Sequence, residues 1–249
     1  MAVRWVLVTL DKALAPAALH TRRYTGSMKS VAMLQGVTFQ RDHGFSMHID
    51  SLSIEPGSMT LLLGASGSGK STLLWLIAGL LRSTSGSIEI AGERLDTLHE
   101  AGRDRLRARR MGLVFQTHHL LADFTAEENV SLALMAAGES ERTHHARSLE
   151  LLASLGIDRP TAKASQLSVG QQQRVAVARA IACRPVLVLA DEPTASLDAA
   201  NRDIAMDVLQ QACRTTGAAL VCASHDPSLA SRFQRTLDVN AFVSQKVVA

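Results

Sequence analysis

The run Gly64-Ala65-Ser66-Gly67-Ser68-Gly69-Lys70-Ser71 restricts what this chain can fold into more than any other stretch. It follows the apolar residues 59–63 and precedes a second apolar stretch, residues 73–81, broken by Gly79. A short apolar run bounded by turn residues reads as a buried parallel strand, and the stretch beyond the glycines as a helix over about 71–81. Three glycines let the backbone wrap closely around phosphate oxygens where side chains would clash. Successive N–H groups then form an anion nest, reinforced by the positive end of the helix starting at Lys70-Ser71. Lys70 is suited to neutralising terminal phosphates and Ser71 to offering a hydroxyl to Mg²⁺. The bland alternative is a chance glycine-rich loop. The strand before it and the helix after it weigh against that, so Gly64, Ala65, Ser66, Gly67, Ser68, Gly69, Lys70, Ser71 and Thr72 are expected to bind nucleotide.

At 249 residues the chain is long enough for one large domain, or one domain with an inserted subdomain. Hydrophobic residues make up 47% and aromatics 4%, so the core must be aliphatic. The net charge of +3, from 26 basic and 23 acidic residues, is too small an excess to argue for nucleic acid. Residues 103–110 are strongly basic, but no aromatics interleave, and they read as a solvated basic helix. The cysteines, Cys183, Cys213 and Cys222, form no CxxC pair and read as buried reduced thiols. No apolar run approaches the ~18 residues that span a bilayer. Residues 1–30 read as a separate extension, disordered or preceding the true start. Asp11 and Lys12 interrupt Val6-Leu7-Val8 too soon for a signal peptide.

From residue 31 to 54 the pattern alternates as β structure does, with a turn at Asp42-His43-Gly44. Residues 83–91 suggest a hairpin about Gly86. Residues 111–115 are again apolar. Between 117 and about 166 the chain is helical in character, richer in charge and without a strong strand, as an inserted helical subdomain would be. Alternation then resumes: helix 171–182, strand 186–189, helix 199–215, strand 218–222. The fold class expected is α/β. It would be a P-loop NTPase with a mostly parallel sheet, an N-terminal antiparallel β subdomain and the helical insert, the expected ATPase domain occupying residues 31–249. His118-His119 and His144-His145 read as surface pairs, since adjacent histidines rarely converge on one ion.

Further residues belong at the same edge. Asp191-Glu192 follows Val186-Leu187-Val188-Leu189, and parallel sheets bind ligands at the carboxyl ends of their strands. Asp191 would hold Mg²⁺ through water, and Glu192 would polarise the attacking water as general base. Two acids before a proline also suit a solvated turn, and without the glycine loop they would mean little. Gln116, after Val114-Phe115, could ligate Mg²⁺ or orient water. His225, after Leu220-Val221-Cys222, could bond a terminal phosphate as a neutral imidazole. Leu167-Ser168-Val169-Gly170-Gln171 opens a second helix with an anion-binding N-terminus. One nucleotide has no use for two distant cradles in one chain, so this one is expected to serve nucleotide held by another copy.

This set of motifs resembles the nucleotide-binding subunit of an ABC transporter over about residues 31–240. It has Walker A at 64–71, the Q-loop at Gln116, the signature at 167–171, Walker B at 186–191, the catalytic Glu192, the D-loop Ser196-Leu197-Asp198 and the switch His225. The resemblance implies ATP and Mg²⁺ as cofactors, with Ser71, Gln116 and Asp191 around the metal. It implies catalytic roles for Glu192, His225 and Gln116. It also implies a head-to-tail homodimer in the ATP-bound state, in which Ser168, Gly170, Gln171 and Asp198 meet the partner's nucleotide. The expected partner is an integral-membrane permease, not nucleic acid. The expected location is peripheral, on the cytoplasmic face of the inner (plasma) membrane. Two departures stand out. Val169 replaces a glycine usual in the family, which matters only if φ must be positive. Arg41 stands where an adenine-stacking aromatic is usual, and Arg41, Phe39 or Phe45 could take that part.

Finer similarity runs to the lipoprotein-release and macrolide-export branch. It is carried by Phe115-Gln116-Thr117-His118-His119-Leu120-Leu121, by Phe124-Thr125-Ala126-Glu127-Glu128-Asn129-Val130, by Gln171-Gln172-Gln173-Arg174 and by Ala190 before Asp191. That branch implies export or extraction of lipoprotein, peptide or drug-like cargo. A cell-division-type ATPase acting on cell-wall enzymes, or an importer ATPase subunit, would use the same residues.

Overall fold

The computed structural model describes residues 29–245 apart from 42, 43, 196 and 198. Most of the expected N-terminal extension, the turn at Asp42-His43, and Ser196 and Asp198 of the D-loop lie outside the described residues.

The apolar runs become a parallel sheet because they are buried on both faces. Strand β8 (Ala219–Ser224) shows it best: every residue is buried. Leu220 and Cys222 face one aliphatic core while Ala219, Val221 and Ala223 face another. With no solvent face the polar–apolar alternation disappears from the sequence. The sheet has the order β6-β7-β8-β3-β9, with β6 (Met111–Phe115), β7 (Leu187–Asp191), β3 (Met59–Leu63) and β9 (Arg235–Asp238), all pairs parallel.

An antiparallel sheet, β10-β2-β1-β4-β5, lies on one side of it. Its strands are β1 (Ala32–Gln40), β2 (Phe45–Ile54), β4 (Ser85–Ile90), β5 (Glu93–Arg94) and β10 (Val243–Gln245). The two sheets share one core with helix α1 (Lys70–Ile77). The other face of the parallel sheet is covered by α5 (Val169–Ile181) and α6 (Ala199–Thr216). Between β6 and α5 stand α3 (Ala126–Ala137) and α4 (Glu141–Ser154). The two ends of this helical segment are stitched by Ala126 N to Ala162 O at 3.0 Å and Ala164 N to Phe124 O at 2.8 Å.

Two expectations are corrected. Gly86 is not a hairpin turn: it lies within β4, where a Cβ would come 2.3 Å from the carbonyl of Gly36, opposite a bulge in β1. The turn is at Ala91-Gly92, with φ of 52° and 81°, linking β4 to β5 as a two-residue hairpin with positive φ at both positions does. The basic helix, α2 (Glu100–Arg110), is not simply solvated, because Arg103 and Arg107 are buried. The Arg107 guanidinium donates to Ala78 O at 3.3 Å and Gly79 O at 2.9 Å, satisfying carbonyls at the end of α1, and pairs with Asp104. Similarly, His118 and His144 are buried, while His145 is exposed and pairs with Glu127. The cysteines are free, Cys213 and Cys222 buried and Cys183 partly so.

Candidate nucleotide site

The sheet register gathers the expected site residues at one edge. Leu63 pairs with Ser224, Asp191 with Ala223, and Phe115 with Asp191. The residues that follow each strand therefore emerge side by side: Gly64, His225, Glu192 and Gln116. This is the carboxyl edge, where parallel sheets hold ligands.

The loop from β3 to α1 has the backbone that only glycine accepts easily. Gly67 and Gly69 have φ of 79° and 94°. At Gly69 space adds a second demand, since a Cβ would stand 2.9 Å from the ring of Phe45. A Cβ on Gly64 would stand 2.4 Å from Ser68 Oγ. That hydroxyl is buried without a hydrogen-bond partner, as suits a loop closing on a polar ligand. The Lys70 ammonium, buried under the loop, donates to Gly64 O at 2.8 Å and Ala65 O at 3.0 Å and lies 3.4 Å from Glu192 Oε1.

Ser71 Oγ donates to Asp191 Oδ1 at 2.9 Å. Burial pushes the Asp191 carboxyl above the usual range, and the neighbouring Glu192 adds to this. The Ser71 hydrogen bond and, more weakly, Lys70 oppose it. A hydroxyl beside a desolvated carboxylate is a hard-oxygen pair of the kind Mg²⁺ accepts. Glu192 has φ 47°, a left-handed conformation uncommon for a residue with a side chain. Its Oε2 lies 3.0 Å from His225 Nδ1. Next to His225, Asp226 caps the following turn. Its carboxyl is held below the usual range by the Ser228 hydroxyl and N–H, and Arg202 from α6 pairs with it.

Gln116 reaches the same edge but is exposed. Among the described residues no hydrogen bond joins it to Ser71, Asp191 or Glu192. The 167–171 segment does not join the cluster either. Ser168 caps α5 in a reciprocal box: its Oγ accepts from Gln171 N at 3.3 Å, and Gln171 Oε1 accepts from Ser168 N at 2.9 Å. The helix thus begins at Val169, two residues before the expected start. Val169 is 50% exposed and has no positive φ, so valine fits there without backbone strain. A Cβ on Gly170 would meet nothing within 4 Å.

Of the candidate adenine partners, Arg41 lies over the Phe39 ring at 5.9 Å, and Phe39 meets Phe45 edge-on at 6.4 Å. Phe45 alone of the three is placed against Gly69. Sequence reasoning missed two residues that tie α5 to the edge: Gln173, which donates to Pro193 O at 3.0 Å, and Arg179, which donates to His118 O and His119 O. Side chains that bond backbone carbonyls leave no spacing signal.

A glycine-rich loop between a buried parallel strand and a helix, facing a Ser–Asp pair and a Glu–His pair on neighbouring strand ends, defines a P-loop nucleoside triphosphatase. More narrowly, the chain belongs to the ABC transporter family, whose description matches residues 47–195, and as a member it is an ATP-binding ATPase. It is 46% identical over 191 residues to the lipoprotein-releasing system ATP-binding protein LolD 1 of Caulobacter vibrioides, covering 76% of this chain and 82% of that one. Its structure is similar to the dimeric ATP-binding cassette MJ0796 bound to ADP and Pi (TM-score 0.74, 31% identity, 86% of this chain and 98% of that chain). It is also similar to CbiO1 of Clostridium perfringens, part of the transporter complex CbiONQ (TM-score 0.75, 25% identity, 86% of each chain).

Proposed function

We propose that this chain is the ATPase subunit of a lipoprotein-releasing type of transporter, driving a membrane permease from the cytoplasmic face. The single observation that carries this is the 46% identity to the Caulobacter vibrioides lipoprotein-releasing protein, sustained over 82% of its length. Among the described residues no helix is long and apolar enough to cross a membrane.

In this reading residues 64–72 cradle the ATP phosphates, Lys70 neutralises them, and Phe45 stacks on the adenine from its place beside Gly69. Ser71, Asp191 and Gln116 hold Mg²⁺, which supplies charge neutralisation on the phosphates. Glu192 accepts a proton from the water that attacks the γ-phosphorus as the bond to ADP breaks. His225, bonded to Glu192 at 3.0 Å, orients that carboxylate and faces the γ-phosphate. Ser168, Gly170 and Gln171, apart from this cluster, meet the nucleotide of a second copy, and so does Asp198. Two chains then close head-to-tail over two ATP; the cassette MJ0796, similar in structure, is itself dimeric.

The test uses Glu192→Gln, which should bind ATP without hydrolysing it and so trap the closed dimer. The variant is purified from its own membranes with ATP, and the protein that accompanies it is identified. A permease of few helices with a large outer domain is the expected result. A permease of many helices without one would mean an importer. A companion acting on cell-wall enzymes would mean a division-type ATPase, and no membrane companion would overturn the transporter reading.

A further inference from the structure

Immediately beyond Gln116 the backbone enters an unfavourable conformation twice in succession. His118 and His119 have φ of 57° and 46°. Residues with a Cβ hold that region only where their surroundings over-determine it. The His118 side chain does not supply the hold, because it is buried and its Nε2 has no partner.

The His119 ring meets Phe115 edge-on at 4.9 Å and its Nε2 lies 3.1 Å from Thr117 Oγ1, and α5 adds a further hold on both carbonyls. Arg179, in the last turn of that helix, donates from one guanidinium nitrogen to His119 O at 2.6 Å and from the other to His118 O at 2.6 Å. One planar fork closes on both carbonyls of the strained pair, a geometry the point charge of lysine does not reproduce. Desolvation lowers the Arg179 pKa to about 10.

The mounting of Arg179 is rigid. A Cβ on Gly112 would stand 2.3 Å from Ala180 O, so α5 rests directly on the backbone of β6, the strand that ends beside Gln116. At its other end, roughly 16 Å away by helical rise, the same helix carries the Ser168 cap.

We propose that Arg179 is a positioning residue: by gripping the carbonyls of His118 and His119 it sets Gln116 in the frame of α5, the helix that presents Ser168. Gln116's approach to the metal is thereby tied to the helix that meets the second copy's nucleotide. The proposal rests on Gln116 being a metal ligand.

The test measures Mn²⁺ affinity in the presence of ATP, from the electron paramagnetic resonance signal of free Mn²⁺, with the full chain in the Glu192→Gln background so that ATP persists. Arg179→Met, Gln116→Ala and the double variant are compared, each with its melting temperature. Arg179→Met should weaken Mn²⁺ binding about tenfold, as loss of an outer-shell support does. The double variant should be no weaker than Gln116→Ala alone, because the arginine acts through the glutamine. Arg179→Lys, which keeps the charge but not the fork, should resemble Arg179→Met, and it carries the same cycle if the methionine variant fails to fold. Unchanged Mn²⁺ affinity with a lowered melting temperature, or effects that multiply in the double variant, would overturn the proposal. Unchanged affinity in Gln116→Ala itself would instead refute the metal-ligand reading of Gln116.

Discussion

Ser71 and Asp191 stand 120 residues apart in the chain, yet the hydroxyl of one donates to the carboxylate of the other at 2.9 Å. That bond joins the first turn of α1 to the end of β7, two of the elements from which the nucleotide edge is built. Ser71→Ala would leave Asp191 desolvated without its hydroxyl donor, so its carboxyl should rise further above the usual range. The fold should lose about 1 kcal/mol. Mg²⁺ affinity in the presence of ADP should fall by about tenfold or more. Calorimetric titration of Mg²⁺ checks this, and unchanged affinity would remove Ser71 from the metal site.

Valine at position 169 should be nearly neutral. It opens α5 with no positive φ and points to solvent, so glycine would relieve no backbone strain. Val169→Gly should leave the ATPase rate within about twofold, the small cost being glycine's lower helix propensity. A gain of many fold in steady-state hydrolysis would mean that the valine side chain obstructs the closed dimer.

Arg107 should matter for stability rather than activity. Arg107→Met strands the carbonyls of Ala78 and Gly79 and leaves Asp104 without its partner. The cost should be about 3 kcal/mol, and a melting curve should drop by about 6 to 12 °C for a chain of this size. The exposed neighbour Arg105, replaced in the same way, should move it little. Equal effects from the two would contradict the assigned burial.

The cysteines should be inert in the native protein. Burial pushes the Cys183 and Cys213 thiols up to about 12 and raises Cys222 as well. At pH 8 only about one part in ten thousand of a thiol with a pKa near 12 is thiolate, the reactive form. A disulfide reagent at that pH should label slowly before denaturant is added and react with three thiols afterwards. A fast-reacting thiol in the folded chain would contradict this.

Most of the edge was legible because of how β3, β7 and β8 are buried. Strands enclosed on both faces read as unbroken apolar runs, and the residue after each run falls at the carboxyl edge. Lys70, Ser71, Asp191, Glu192 and His225 were found in this way, and the structure brings them together. The start of α5 was readable but not read: Ser168-x-x-Gln171 has the spacing of a capping box. Gly86 misled because glycine serves close backbone approach as well as turns, and only the bulge opposite it decides which. The inward face of α2 was hidden because a cluster of arginines does not mark which members turn toward carbonyls. Gln173 and Arg179 were invisible for a related reason, since what they hold is backbone and backbone has no letter.

The enclosed position of β8 bears on how the molecule opens. Held between β7 and β3 with every side chain buried, its amides meet solvent last when thermal motion opens the fold. His225 is rooted in that strand, and Glu192 is tied to it through Ala223 O at 3.0 Å. The backbone at the strand ends that carry Glu192 and His225 should therefore be among the last to open, while the exposed side chains and loops around it move more freely.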